Sequence, residues 1–202
     1  MDRAVLIDRH KDIEGLSFDE ELSALARLSG LDRLARWLVE FAQTDLTGLT
    51  TGQWTDLSAE LVVFSTYGPI TTTKPISIPI WRSSGEISLP TRKIASDLQA
   101  QSKAMLVQLV DEGYISYTPH GITHHIRKLT DRVDKWTTAK NLITGFLYHA
   151  NQTLGTQARH VRRCAEDKII FYADRRTQKY CSITCQNRAL QRRFVSKRRR
   201  KQ

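Results

Sequence analysis

Apolar residues recur every three or four positions along several stretches of the chain, and this spacing predicts amphipathic helices. The predicted helices cover, in chain order, 19–41 with a break near Gly30, 57–64 behind an N-cap at Asp56, 91–112, and about 131–154. Gly68 and Gly113 follow the second and third of these stretches, and glycine commonly ends a helix. The body of the chain is therefore expected to be mostly helical.

Two further stretches have the alternating pattern or turn residues of β-structure. Alternation within 69–89 predicts a pair of short strands, and Pro75 and Pro79 would confine the first strand to a sheet edge. Residues 114–126 predict a β-hairpin, whereas residues 1–18 show no sustained periodicity and are expected to be a loosely ordered lead-in. The predicted fold class is α+β, a mostly helical body with a β-hairpin and short strands.

The composition is that of a globular chain. Of its 202 residues 40% are hydrophobic and 26% are charged, which is enough apolar surface for a core. No run of about 18 to 20 consecutive apolar residues is present, and the first residues lack the apolar region of a signal peptide. We therefore expect a cytoplasmic protein without a membrane partner.

Charge is distributed very unevenly along the sequence. The chain has 31 Lys and Arg against 21 Asp and Glu, a net charge of +10. Residues 159–202 contain 15 of these basic residues and three acidic ones, a net charge of +12, so the remainder is slightly acidic. This asymmetry predicts two domains, a body at 19–158 and a basic segment at 159–202. Clustered cations favour a polyanionic partner because binding releases the condensed counterions of the polyanion.

All three cysteines lie in this basic segment. Cys181 and Cys185 are four residues apart, which on the first turn of a helix places both sulfurs on one side, and Cys164 precedes Cys181 by 17 residues. This clustering predicts one structural zinc ion, since zinc binds thiolates in a closed tetrahedral set. The fourth ligand would be His160, in a His-x-x-x-Cys pair, or Asp167, three residues after Cys164. A degenerate finger without metal remains the alternative.

The second half of this segment resembles a known zinc finger. The run Tyr180-Cys181-Ser182-x-x-Cys185-x-Asn187-Arg188, followed by Ala189 and basic residues, is similar to the CGNR zinc finger. The first half of that finger is matched loosely by Cys164, Phe171 and Asp174. Proteins of this family carry an ABATE domain upstream, and the predicted helix, hairpin and helix over 91–154 have its order. The resemblance implies a bacterial transcription regulator whose body senses a signal or dimerises and whose finger binds DNA.

The sequence departs from the CGNR pattern at three points. Gln186 replaces the glycine of the motif, three residues instead of four separate Cys181 from Cys185, and the second cysteine of the first pair is missing. The specific similarity covers about 30 residues, and the order of elements extends it to roughly 110. The departures leave the identity of the fourth ligand, and metal binding itself, open.

Residues after the last cysteine predict a basic helix. Ala189, Leu190 and Phe194 form a narrow apolar edge by which this helix is expected to dock, with the cations displayed outward. Arginine forks suit phosphate oxygens, so we predict nucleic-acid binding, with double-stranded DNA as the partner. The predicted binding residues are Arg188, Arg192, Arg193, Lys197, Arg198, Arg199, Arg200 and Lys201. Ser182 is expected to cap the helix and not to act as a nucleophile.

The sequence also fits functions other than DNA binding by the finger. Residues 91–128 could form a winged helix-turn-helix with a turn at 99–101, a recognition helix at 102–112 and a wing tip at His120-Gly121. RNA binding, or a protein-interaction module held together by zinc, would use the same finger. No nucleotide-binding or catalytic motif is found, so the chain is not expected to be an enzyme. The sequence leaves a homodimer open.

Overall fold

The computed structural model describes residues 13–14, 18–68, 87–113, 115 and 136–199 of the chain. Six α-helices and four short strands lie within these ranges. In chain order they are β1 (Ile13–Glu14), α1 (Phe18–Arg27), α2 (Leu31–Gln43), α3 (Thr51–Tyr67), β2 (Ile87–Ser88), α4 (Arg92–Glu112), α5 (Trp136–Gln157), a 3-10 turn (Ala158–His160), β3 (Val161–Arg163), β4 (Ile170–Tyr172) and α6 (Ile183–Arg199). The predicted α+β class is confirmed.

The first predicted helix is confirmed together with its break. Gly30 has a φ of 93°, a left-handed conformation that glycine adopts without the steric cost of a Cβ. It separates α1 from α2, whose apolar positions Leu34, Leu38 and Phe41 are buried. The spacing of three and four residues puts these side chains on one face of α2, which packs against the helices that follow.

The helix α3 begins earlier than the sequence pattern suggested. Its N-cap is Thr50 and not Asp56, because Thr50 and Gln53 form a capping box. The Thr50 hydroxyl accepts a hydrogen bond from the backbone N–H of Gln53, and the Gln53 side chain accepts one from the backbone N–H of Thr50. Two backbone donors at the helix start are thereby satisfied, so the helix includes the polar turn before Leu57. Its predicted end at Gly68 is confirmed.

The helix α4 is continuous from Arg92 to Glu112, with Thr91 as N-cap and Gly113 as left-handed C-cap. The helix-turn-helix alternative for 91–128 is wrong, since no turn interrupts this helix. Gln99 is buried and donates hydrogen bonds of 2.7 Å to the carbonyls of Phe41 and Thr44. Gln99, which the helix-turn-helix alternative places in the turn, instead holds α4 against α2.

The strand predictions have mixed outcomes. The first strand predicted within 69–89, and all of the hairpin predicted at 114–126 except Ile115, lie outside the described residues. Ile87–Ser88 is a strand, as predicted, but it pairs in parallel with Ile13–Glu14. Part of the segment expected to be a loose lead-in is therefore engaged in a two-stranded sheet, a long-range pairing that no local pattern indicates.

The last predicted helix is confirmed as α5, which leads through a 3-10 turn into the hairpin β3–β4. This hairpin is antiparallel, with Val161 opposite Tyr172 and Arg162 opposite Phe171. Val161 and Tyr172 belong to the core of the body, whereas Phe171 packs with Cys164 and Cys185 in a second, smaller cluster. The predicted domain boundary between residues 158 and 159 thus falls just before this hairpin, whose residues belong to both clusters.

Polar contacts fix the hairpin to the body. The Tyr172 hydroxyl donates to Asp32 at 2.8 Å, and the Gln43 side chain donates to the carbonyl of Ile170 at 2.6 Å. Arg163 pairs with Asp111 of α4 at 2.7 Å, and Arg36 of α2 pairs with Asp174 just after β4. The body therefore sets the orientation of the segment that carries the cysteines.

None of the helices in the described ranges combines the length and the apolar character needed to span a bilayer.

A histidine is buried where α5 passes the end of α3. His149 is 1% exposed, and a Cβ on Gly68 would lie 2.0 Å from its Nδ1 atom. Burial lowers the pKa of His149 to about 4 from its ordinary 6.5, so it is neutral in the folded protein at pH 7.

We expect this histidine to make stability depend on pH. Its folded-state pKa is depressed, so its contribution is complete above pH 6.5 and is lost as the pH falls toward 4. At pH 4 the protein should have lost about 3 kcal/mol of its free energy of unfolding from this group. Urea unfolding of the wild type and of His149→Phe between pH 7 and pH 4 checks this, because the variant should show a weaker dependence. If the free energy of unfolding depended equally on pH in the two proteins, His149 would not be the group responsible.

Candidate metal centre and basic helix

The four residues Cys164, Asp167, Cys181 and Cys185 converge at the junction of the hairpin and α6. Their ligand atoms all lie within 4.8 Å of one another, close enough to hold a metal ion. The Sγ atoms of Cys181 and Cys185 are 3.5 Å apart. The Asp167 Oδ2 atom lies 3.0 Å from Cys185 Sγ and 3.2 Å from Cys181 Sγ. The set offers three sulfur ligands and one oxygen.

A tight turn after β3 brings Asp167 to the cysteines. The backbone N–H of Cys164 donates to the carbonyl of Ile169 at 2.8 Å, and the N–H of Lys168 donates to the carbonyl of Cys164 at 3.1 Å. Lys168 has a φ of 65°, a conformation that costs free energy in any residue with a Cβ. Asp167 Oδ1 accepts a hydrogen bond from the N–H of Ile169, which leaves Oδ2 directed at the sulfurs.

The start of α6 positions the other two cysteines. Ser182 caps the helix, as predicted, with its Oγ accepting a hydrogen bond from the N–H of Cys185 at 3.2 Å. Cys185 lies on the first turn and is 4% exposed, and Cys181 immediately precedes the cap. The positive end of the helix dipole therefore faces the cluster and favours anionic ligands there.

The two halves of the cluster are connected through the backbone. The N–H of Cys181 donates to Cys164 Sγ at 3.4 Å, and the N–H of Ala165 donates to the carbonyl of Lys179 at 3.0 Å. Cys164 is fully buried, with Phe171 beside it, while Asp167 is exposed. The cluster is thus closed toward the protein and open to solvent on its carboxylate side.

The titration of these groups reflects their proximity. Hydrogen bonds from Cys185 and then Cys164 hold the pKa of Asp167 well below its usual range. Burial, and then the neighbouring Asp167 carboxylate, raise the pKa of the Cys181 thiol to about 12. Three thiolates and a carboxylate in this space would repel one another strongly. A bound cation would offset that repulsion and favour the thiolates.

His160, the other predicted fourth ligand, does not join this group. Its Nδ1 atom lies 2.8 Å from the carbonyl oxygen of Ala173, and its ring stacks on Tyr172 with centroids 5.4 Å apart. The 3-10 turn before β3 places this ring against the hairpin, on the side of the body. Of the two predicted alternatives, the structure brings Asp167 and not His160 to the cysteines.

The helix α6 carries the predicted basic residues. Arg188, Arg193, Lys197 and Arg198 are exposed. Arg192 is also exposed, but it pairs with Glu166, whose side chain is only 10% exposed in the turn beside the cluster. Arg199 ends the helix, and Arg200 and Lys201 lie outside the described residues. Arg192 thus ties α6 to the metal-site turn, a role that the sequence did not indicate.

The apolar edge of α6 does not dock as expected. Leu190 and Phe194 are 52% and 68% exposed. Of the three residues of the predicted edge, Ala189 alone is half-buried. The helix is anchored instead through Cys185 on its first turn and through Arg192, which lies two turns further along. Most of α6 therefore stands away from the body.

Comparison with known proteins adds no identification. The chain matches no known protein family, no curated protein and no solved structure. Its resemblance to the CGNR finger stays a prediction, which rests on the similarity within residues 164–189 and on the predicted order of elements over 91–154.

Proposed function

We propose that Cys164, Asp167, Cys181 and Cys185 bind one zinc ion with a structural role. Zinc binds thiolate sulfur at about 2.3 Å and carboxylate oxygen at about 2.0 to 2.2 Å, and a tetrahedral set of such ligands fits within the 4.8 Å spread of these atoms. The soft sulfur majority favours zinc over magnesium or calcium. Four protein ligands leave no open coordination position, so the ion would stabilise the fold and would not activate water.

We further propose that α6 binds nucleic acid, with duplex DNA as the partner. The observation that carries this proposal is a cationic helix whose first turn holds Cys185, one of the four clustered residues, and whose later residues are largely exposed. Residues 183–199 contain no acidic side chain, so nothing within the helix neutralises its arginines and lysines. Guanidinium and ammonium groups in such an array would pair with backbone phosphates and release counterions.

The resemblance to CGNR fingers extends this proposal to a function. A finger of that family implies a bacterial transcription regulator, and the ion would then fix the helix that contacts DNA. Support within the chain comes from the Glu166–Arg192 pair and the contacts of Asp32, Gln43 and Asp111 with the hairpin. Through them the body would hold the helix at a defined angle, as recognition of a duplex requires.

The salt dependence of binding tests the role of α6. Affinity for a duplex should fall as salt is added. The logarithm of the binding constant should decrease with the logarithm of the salt concentration, with a slope of about 0.9 for each phosphate that is neutralised. The variant Arg193→Gln/Arg198→Gln should reduce that slope by roughly two such contacts. Arg175→Gln/Arg176→Gln is the matched control, since it removes two exposed charges between β4 and Cys181 and should reduce the slope less.

The same titration separates the rival functions. Equal loss of slope in the two double variants would contradict a specific role of α6, because general electrostatic attraction would then explain binding. Tighter binding to an RNA of the same length would favour the RNA alternative. A protein that binds neither nucleic acid would leave the zinc-stabilised interaction module as the function of the finger.

A further inference from the structure

The exposed apolar side chains of α6 form one stripe. Ile183, Leu190 and Phe194 are 77%, 52% and 68% exposed. At 3.6 residues per turn the three side chains lie within about 40° of one another around the helix axis. Cys185 and Arg192, the residues that attach α6 to the metal-site turn, lie on the opposite side of the helix. The stripe therefore faces directly away from the rest of the finger.

The residues that border this stripe differ along the helix. Its N-terminal half is flanked by the amide side chains of Gln186, Asn187 and Gln191, and its C-terminal half by cations, namely Arg193, Lys197 and Arg198. A second copy of α6 packed on the stripe would bring like charges together, which is unfavourable. The charge of this face complements a polyanion instead, and an α-helix fits the major groove of B-DNA.

We propose that this outward face of α6 enters the major groove and prefers A·T base pairs. The inference rests on the proposed function and names the substrate class within it. Thymine presents a methyl group in the major groove, which Leu190 and Phe194 would contact, and adenine pairs with the bidentate amides of Asn and Gln. Guanine is read mainly by arginine, and neither arginine among residues 183–192 lies on the stripe. Arg188 is roughly 140° from Ile183 around the helix axis, and Arg192 is paired with Glu166 on the opposite side.

The experiment compares the zinc-loaded full chain on three duplexes of equal length and charge. One contains an A·T block, the second a G·C block, and the third has deoxyuridine in place of thymidine, which removes only the methyl groups. We expect the A·T duplex to bind about tenfold more tightly than the G·C duplex, and the deoxyuridine duplex to lose several-fold of that affinity.

Two variants on one helix assign the effect. In Phe194→Ala the preference for the thymidine duplex over the deoxyuridine duplex should shrink, because one of the two side chains that would contact the methyl groups is removed. Val195→Ala is the matched control, since Val195 is also apolar and 49% exposed but lies off the stripe. It should keep the wild-type preference for thymidine.

The outcomes separate this inference from the proposed function. Equal wild-type affinity for thymidine and deoxyuridine duplexes, or a preference that Phe194→Ala leaves intact, would overturn the inference, while salt-dependent duplex binding would still support the proposed function. Tighter binding to anionic vesicles than to any duplex would overturn both. Absence of salt-dependent binding to every duplex would refute the proposed function itself.

Discussion

Cys185→Ser should lose the metal ion and loosen the segment between β4 and the end of α6. The structural ion contributes folding free energy directly, on the order of 10 kcal/mol in small zinc fingers, so losing one of four ligands removes most of what orders this segment. The hairpin should remain, because Tyr172 and Ile170 contact the body independently of the cluster. Amide exchange should accelerate over 178–199 and stay slow in β3, β4 and the body.

The metal retained by variants of Asp167, Asp174 and His160 tests the identity of the fourth ligand. Asp167→Asn should weaken metal binding strongly, whereas Asp174→Asn should retain the metal, because Asp174 pairs with Arg36 and is not one of the four clustered residues. His160→Ala should also retain it, since the His160 ring contacts Ala173 and Tyr172. Loss of metal in His160→Ala with full retention in Asp167→Asn would contradict the assigned ligand set.

Gly145→Ala should destabilise the body severely. A Cβ at position 145 would lie 2.1 Å from the carbonyl oxygen of Ser65, so the helices α3 and α5 must move apart to admit it. The atom that would be met is backbone and not the end of a flexible side chain, so the strain cannot relax by a change of rotamer. We expect a loss of about 3 kcal/mol or more in the free energy of unfolding.

Gly155→Ala, on the same helix, is the matched control. A Cβ at Gly155 meets nothing within 4 Å, so this variant should be neutral or gain up to about 1 kcal/mol from the better helix propensity of alanine. In thermal unfolding the two variants should differ by roughly 6 to 16 °C. Similar stabilities for both would show that α3 and α5 do not meet at this glycine.

Local rules account for most of the helical body. The breaks at Gly30, Gly68 and Gly113 follow from backbone freedom at glycine, and the apolar spacing on either side fixes which face is buried. The apolar pattern begins at Leu57 and therefore predicts a later start for α3 than the one that the capping box at Thr50 and Gln53 sets. The parallel pair β1–β2 joins residues more than 70 positions apart, and no local signal could indicate it.

The candidate site was predictable in its cysteines but not in its remaining members. Three cysteines in a short basic segment indicate a metal, but spacing alone does not distinguish His160 from Asp167. The turn at Lys168 and the stacking of His160 on Tyr172 decide between them, and both depend on how β3 and β4 pack against the body. Likewise the apolar edge of α6 was visible in the sequence, but its direction follows from the Glu166–Arg192 pair and from Cys185.

The metal content of the full-length protein tests the central claim most directly. After purification without chelator, elemental analysis should find one zinc ion per chain, and a strong chelator should remove it together with the slow amide exchange of α6. A protein that carries no metal, and whose α6 amides are equally protected with and without chelator, would contradict the account.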